Sequence, residues 1–250
     1  MIRKLCLRVG ASLALASATS VAQDARNVVA PLPSPTGSYA IGTAVAYLVD
    51  TSRHDVDLPH GRPITVQLWY PAARSSAPRA PYLFEKSLGE ALLRQQYYQV
   101  DTAALLAWRA STTHSRLRAP VAAGRFPLIL FSVGQGVIRA NYTSIAEELA
   151  SHGDIVALVE SPLQGMMVRP DGREVSDTAG RFGDPAGHVL GATAWSGDMS
   201  WVLDKLAARA VPALSAVARA IDWTRIGATG HSSGGLVAAQ TCESDRRVRV

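Results

Sequence analysis

From Tyr39 to Val49 the apolar side chains recur at every second position, with Tyr39, Ile41, Val45, Tyr47 and Val49 on one face. Ile64, Val66 and Leu68 alternate in the same way with Thr65, Gln67 and Trp69. A period of two predicts two strands that each keep one face in water. The pattern then changes. Phe126-Pro127-Leu128-Ile129-Leu130-Phe131 and Ile155-Val156-Ala157-Leu158-Val159 are unbroken apolar runs, as parallel strands covered on both faces require. Between them Ile145 and Leu149 share a helical face, Ser144 and Glu147 have capping-box spacing, and Gly153 stands at a C-cap position. Strand, helix and strand in this order predict a right-handed βαβ unit.

Further along, Trp195, Met199, Val202, Leu203, Leu206 and Ala210 repeat at helical spacing. A short strand over Arg225 to Thr229 follows, then a helix over Ser233 to Thr241, then the first residues of another strand at Arg247 to Val250. This alternation predicts an α/β protein with a mostly parallel central sheet and helices on both faces. Two segments stand outside it. Residues 80–118, rich in apolar and aromatic side chains, are expected to be helical and to form either a lid or a cover for the sheet edge. Residues 161–191 are loop-rich and follow the C-terminal end of a strand, where the ligand-facing loops of open α/β sheets gather.

Composition narrows the class. With 48% hydrophobic and 18% charged residues in 250, the chain can bury one large core. Its formal charge of +5 includes Arg3, Lys4 and Arg8, with no acid before Asp24, and falls to +2 without them. The other basic residues are scattered, which excludes a nucleic-acid footprint. Basic residues 1–8, an apolar stretch over 9–18 and the small-x-small run Ser20-Val21-Ala22 predict a signal peptide over 1–22. A secreted or periplasmic protein without a transmembrane segment after processing is expected. Residues 23–37 form a proline-rich tether, and 38–250 the folded domain. Cys6 would leave with the peptide, so Cys242 would have no disulfide partner.

Residues 226–235 read Ile-Gly-Ala-Thr-Gly-His-Ser-Ser-Gly-Gly and contain G-x-S-x-G at Gly230, Ser232 and Gly234. The motif recurs by chance, so its context carries the weight. A strand directly before it and a helix directly after predict a nucleophile elbow with Ser232 at its apex. Glycine would be required at 230 and 234, where a Cβ would strike neighbouring backbone. The oxyanion donors expected are the backbone N–H groups of Ser233 and of Gln135, the latter in the loop Ser132-Val133-Gly134-Gln135-Gly136.

These residues carry a resemblance. Arg62-Pro63, Val66-Gln67-Leu68-Trp69-Tyr70-Pro71, Phe126 to Ser132, Leu149-Ala150-Ser151-His152-Gly153 and Gly230-His231-Ser232-Ser233-Gly234-Gly235 together resemble the platelet-activating factor acetylhydrolase family, a branch of the α/β-hydrolases. The resemblance spans residues 37–250. It implies calcium-independent hydrolysis of short or oxidised acyl esters, including those of phospholipids, with the elbow serine at Ser232 and backbone donors at Gln135 and Ser233. Many members have His-Gly after the third strand; here Val133 precedes Gly134.

In an α/β-hydrolase the triad order is serine, acid, histidine, which puts the acid and the base beyond Val250 and makes the domain C-terminally incomplete. Among residues present, His188 is the best internal candidate for a base. His231 is expected to pack beneath the turn, and His152 to meet the carbonyls of its own helix. Asp222 and Asp245 read as turn formers. His54, Asp55, Asp57 and His60 have metal-like spacing but read as a solvated loop, and no cofactor or metal is implied. The sequence therefore predicts an exported serine carboxylic-ester hydrolase acting on a small-molecule or lipid ester. The alternatives are a non-catalytic α/β-hydrolase-like binding protein, an inactive fragment, and a peptidase or acyltransferase on the same scaffold. Oligomeric state is not legible.

Overall fold

A computed structural model describes residues 32–54, 57–94, 100–177 and 180–249. The expected signal peptide, the tether before residue 32, and Asp55 lie outside the described residues. The strands are β1 (Ala40–Asp50), β2 (Arg62–Ala72), β3 (Arg79–Pro81), β4 (Thr112–Leu117), β5 (Phe126–Ser132), β6 (Ile155–Glu160), β7 (Met167–Val168), β8 (Glu174–Val175) and β9 (Ile221–Gly230). The helices are α1 (Leu88–Arg94), α2 (Thr102–Ala110), α3 (Thr143–Ser151), α4 (Pro185–Ala207), α5 (Ser215–Ala218) and α6 (Ser233–Ser244). Seven strands form one sheet in the order β3-β4-β1-β2-β6-β5-β9, and β7 and β8 make a separate hairpin.

β1 and β2 pair antiparallel along their whole length, from Ala40↔Ala72 to Asp50↔Arg62. β2 runs antiparallel to β6, while β6, β5 and β9 are mutually parallel. One face packs Trp69, Phe131, Val156 and Leu158 against Ala146 and Ala150 of α3. The other packs Val66, Leu68, Leu128, Leu130 and Val159 against Met199, Val202 and Leu206 of α4 and Val237 of α6. The two crossovers that leave β5 and β6 therefore lie on opposite faces. They diverge beside the C-terminal end of β5, a topological switch point where open α/β sheets form their ligand crevice.

Several expectations need correction. β2 is buried at every position rather than half exposed. Gln67 is satisfied internally, since its Nε2 donates to Thr43 Oγ1 (3.1 Å) and its Oε1 accepts from Arg139 Nε (2.9 Å), whereas the Thr65 hydroxyl is buried without a hydrogen-bond partner among the described residues. The Ser144–Glu147 capping box does not form. α3 begins two residues earlier than that cap would set it, at Thr143 with Tyr142 as N-cap and no side-chain cap, and the buried Glu147 carboxylate instead accepts from Ser115 N on β4 (2.6 Å). Residues 80–118 supply strands β3 and β4 to the sheet edge, and their helices pack Leu88, Leu92 and Leu105 against Met166 and Val168. α4 starts at Pro185, ten residues before its apolar repeat, where Asp184 caps it by accepting from Gly187 N (2.7 Å). No strand is formed at Arg247 to Arg249, although Arg249 N donates to Ile226 O of β9 (2.9 Å). The last tether residues are docked rather than free, with Thr36 N donating to Glu148 Oε2 (2.8 Å) and Gly37 N to Ser151 Oγ (2.9 Å).

Candidate active site

β9 and α6 are joined by only two residues, His231 and Ser232. A reversal this short forces Ser232 to φ 53°, ψ −123°, a region that L-residues rarely occupy and that costs about 1–3 kcal/mol. The flanking glycines explain how the turn closes. A Cβ on Gly230 would lie 2.3 Å from Gly234 O and 2.8 Å from Ser132 O, and one on Gly234 would lie 2.3 Å from Ser132 O. Strand, turn and helix thus interlock with the end of β5 by backbone contact alone. Ser232 is exposed at the apex, immediately before the N-terminus of α6, where unpaired N–H groups favour negative charge.

The loop after β5 is the second half of the site. The ladder pairs Ser132 with Gly230, and His231 N donates to Ser132 O (3.3 Å), so this loop and the elbow leave the sheet side by side. Its backbone groups are tied down individually. Gly134 N donates to Tyr142 Oη (2.8 Å), Gly136 N to Gln164 O (2.8 Å) and Val137 N to Gly134 O (3.3 Å). Among the described residues, the amides of Gln135 and Ser233 have no protein acceptor. Two unspent donors at the switch point are what an anionic oxygen could use.

Around this pair, Tyr142 Oη also meets His231 Nδ1 (3.1 Å), which links the loop to the elbow. His231 is exposed and turned toward Tyr142, not packed beneath the turn as expected. His188 lies in the first turn of α4, not in a loop, and its Nε2 meets Gln135 Oε1 (2.6 Å). An amide oxygen only accepts, so that contact puts the hydrogen on Nε2. His152 is remote from the elbow and pairs with Glu148 Oε1 (3.0 Å) and Thr36 Oγ1 (3.1 Å). Asp222, inside β9, binds Thr224 and Arg225 side chains, while Asp245 binds Arg247. These bonds hold both carboxyls down at about 2. Asp57 pairs with Arg181 (2.7 Å), and among the described residues no group of three His, Cys, Asp or Glu could hold a metal ion.

Two clefts lie elsewhere. One of about 510 Å³ separates the β1–β2 turn from the β7–β8 hairpin, and one of about 710 Å³ is bordered by Tyr47, Glu85 and Arg109. Neither is lined by Ser232, Ser233 or Gln135. Gln164 and Tyr142 were invisible to sequence reasoning, because both act by tertiary contact and neither belongs to a spaced motif. No helix among the described residues is long and apolar enough to cross a membrane.

Comparison with known proteins places this geometry. Among solved structures, the chain is similar to a ferulic acid esterase from Streptomyces cinnamoneus at 31% identity and a TM-score of 0.73, over 87% of this chain and 59% of that one. A hypothetical protein from Pseudomonas aeruginosa matches at 12% identity and a TM-score of 0.42, over 86% of this chain and 43% of that one. A cold-adapted esterase from an Arctic intertidal metagenomic library matches at 15% and 0.42, over 84% and 58%. The chain thus spans less than two thirds of the length of the structures it matches. The likeness to the ferulic acid esterase shows an α/β-hydrolase fold, with its mixed, mostly parallel sheet flanked by helices. A sequence description of platelet-activating factor acetylhydrolase, isoform II, matches residues 27–163, a stretch that includes the Gln135 loop and ends before the elbow. With more than half of its length matched, the chain belongs to the platelet-activating factor acetylhydrolase isoform II family.

Proposed function

We propose that this protein is an exported serine ester hydrolase in which Ser232 is the nucleophile and the amides of Gln135 and Ser233 receive the oxyanion. One observation carries the reading. The exposed Ser232 sits at a strained φ of 53°, directly before the uncommitted Ser233 amide and on a turn that leaves the sheet alongside the loop carrying the uncommitted Gln135 amide, with no room for a Cβ at Gly230 or Gly234. A turn serine that merely capped α6 would accept a hydrogen bond from the helix, and Ser232 makes no such side-chain bond.

In this reading Ser232 Oγ attacks the ester carbonyl carbon and its proton passes to a histidine base. The carbonyl oxygen becomes an anion held by the two amides and the α6 N-terminus. Collapse breaks the C–O bond, the alcohol leaves with the proton, and water then attacks the acyl-enzyme by the same route. The base and its acid partner are assigned to no described residue. In the order serine, acid, histidine they follow the elbow in the chain. The basic and apolar run over residues 1–22 supports export.

Family membership favours short acyl esters, including those of phospholipids, as substrates. The likeness to a ferulic acid esterase favours a second reading, an ester of an aromatic acid. Turnover of p-nitrophenyl acetate, a short-chain phospholipid and methyl ferulate by the full-length protein and by Ser232→Ala tests both. The reading expects turnover that Ser232→Ala abolishes. Turnover that survives the substitution removes the nucleophile.

A further inference from the structure

Gln164 is 1% exposed and lies in the turn after β6, with no charged partner and no place in the motif. Its side-chain amide and its carbonyl oxygen are directed at the end of β5 and the loop after it, while its backbone N donates to Ser161 O (3.4 Å) within its own turn. Its Nε2 donates to Val133 O (2.8 Å) and to Ser132 Oγ (3.0 Å), and its backbone O accepts from Gly136 N (2.8 Å). These bonds straddle Gln135 on both sides, so they fix the peptide plane whose N–H remains uncommitted. Close backbone packing reinforces the clamp, since a Cβ on Gly165 would lie 2.6 Å from Val137 O. The preceding residue shows that the turn is imposed. Leu163 is held at φ 64°, a position where Gly or Asn would relax the backbone. Its side chain is retained there by burial in the main core.

We propose that Gln164 is a positioning residue for the oxyanion pair: it does not touch substrate but holds residues 133–137 so that the Gln135 amide stays available beside Ser232. This deepens the function proposed above and rests on it. A displaced donor harms the transition state, where charge develops on oxygen, more than the bound ester. The signature is thus a fall in kcat at nearly constant KM, matched by weaker binding of a trifluoromethyl ketone, whose hemiketal oxyanion needs the same amides.

The test uses Gln164→Met, which keeps volume without the amide, Gln164→Glu, which replaces the donor by an acceptor, and Gln164→Asn, which shortens the reach and serves if another variant fails to fold. Each is expected to lower kcat about ten- to hundredfold, to leave KM within about twofold, and to weaken trifluoromethyl ketone binding by the same factor as kcat. Folded variants with kcat within twofold of the parent overturn the proposal. So does a loss that appears in KM and melting temperature while ketone affinity is unchanged, because a purely structural residue would behave so. If instead Ser232→Ala retains turnover, it is the site assignment that fails, and that result is read on a different protein.

Discussion

Gly234 faces the carbonyl oxygen of Ser132 so closely that a Cβ on it would lie 2.3 Å away. The start of α6 is therefore pressed onto the end of β5 with no room for a methyl group, and the relief must come from backbone. Gly234→Ala is expected to destabilise the fold by about 3 kcal/mol or more, at the upper end of overpacking costs. Gly235→Ala is the matched control, because its Cβ would meet only Gly230 O at 3.7 Å. There a gain of up to about 1 kcal/mol is expected from helix propensity. Urea midpoints of the two variants check the contrast.

Ser232 at φ 53°, ψ −123° occupies backbone space natural to glycine. Ser232→Gly should release part of that strain and raise stability by about 1 kcal/mol. Ser232→Ala, which keeps the Cβ, should leave stability nearly unchanged. Thermal midpoints of the parent and both variants test this. A Ser232→Gly protein less stable than Ser232→Ala would contradict the strain.

Glu160, at the C-terminal end of β6, is buried with Glu85 around the single guanidinium of Arg139, which donates to both. Burial lifts its carboxyl to about 7; Arg139 opposes the rise and Glu85 adds to it. A carboxyl raised in the folded state stabilises below its unfolded value near 4.5, and that stability is lost as pH rises through 7. Its contribution should thus fall by an amount on the order of 1–3 kcal/mol between about pH 4.5 and 7. Glu160→Gln should flatten this part of the profile, checked by denaturant titration at several pH values.

His188 Nε2 is engaged by Gln135 Oε1 at 2.6 Å, which leaves it unable to take a proton from Ser232 through that nitrogen. His188→Ala is expected to keep ester turnover within about tenfold, through release of the Gln135 side chain. Loss of a true general base would cost about 10⁴-fold or more. Steady-state kcat/KM separates the two.

What the sequence disclosed follows from where its signals are local. The continuous apolar runs of β5 and β6 and the glycine spacing at 230 and 234 are visible because burial on both faces, and the tight turn, act on neighbouring residues. β2 was misread because Thr65 and Gln67 look like an outward face, yet Gln67 is spent on Thr43 and Arg139 inside the protein. β4 has the polar sequence Thr-Thr-His-Ser-Arg-Leu and was hidden for the same reason, since Ser115 finds Glu147 across the fold. In the candidate site, Ser232 and Gln135, whose nucleophile and donor roles remain the proposal above, are marked by motif and loop position. Gln164 and Tyr142 are not, because a residue that only holds another's backbone leaves no periodicity.

The most direct measurement is covalent labelling of the full-length protein with a fluorophosphonate, read by peptide mass spectrometry alongside ester turnover. The account expects one label per molecule, on Ser232, with turnover lost in proportion to labelling. Label on another residue, or turnover that persists in fully labelled protein, would contradict it.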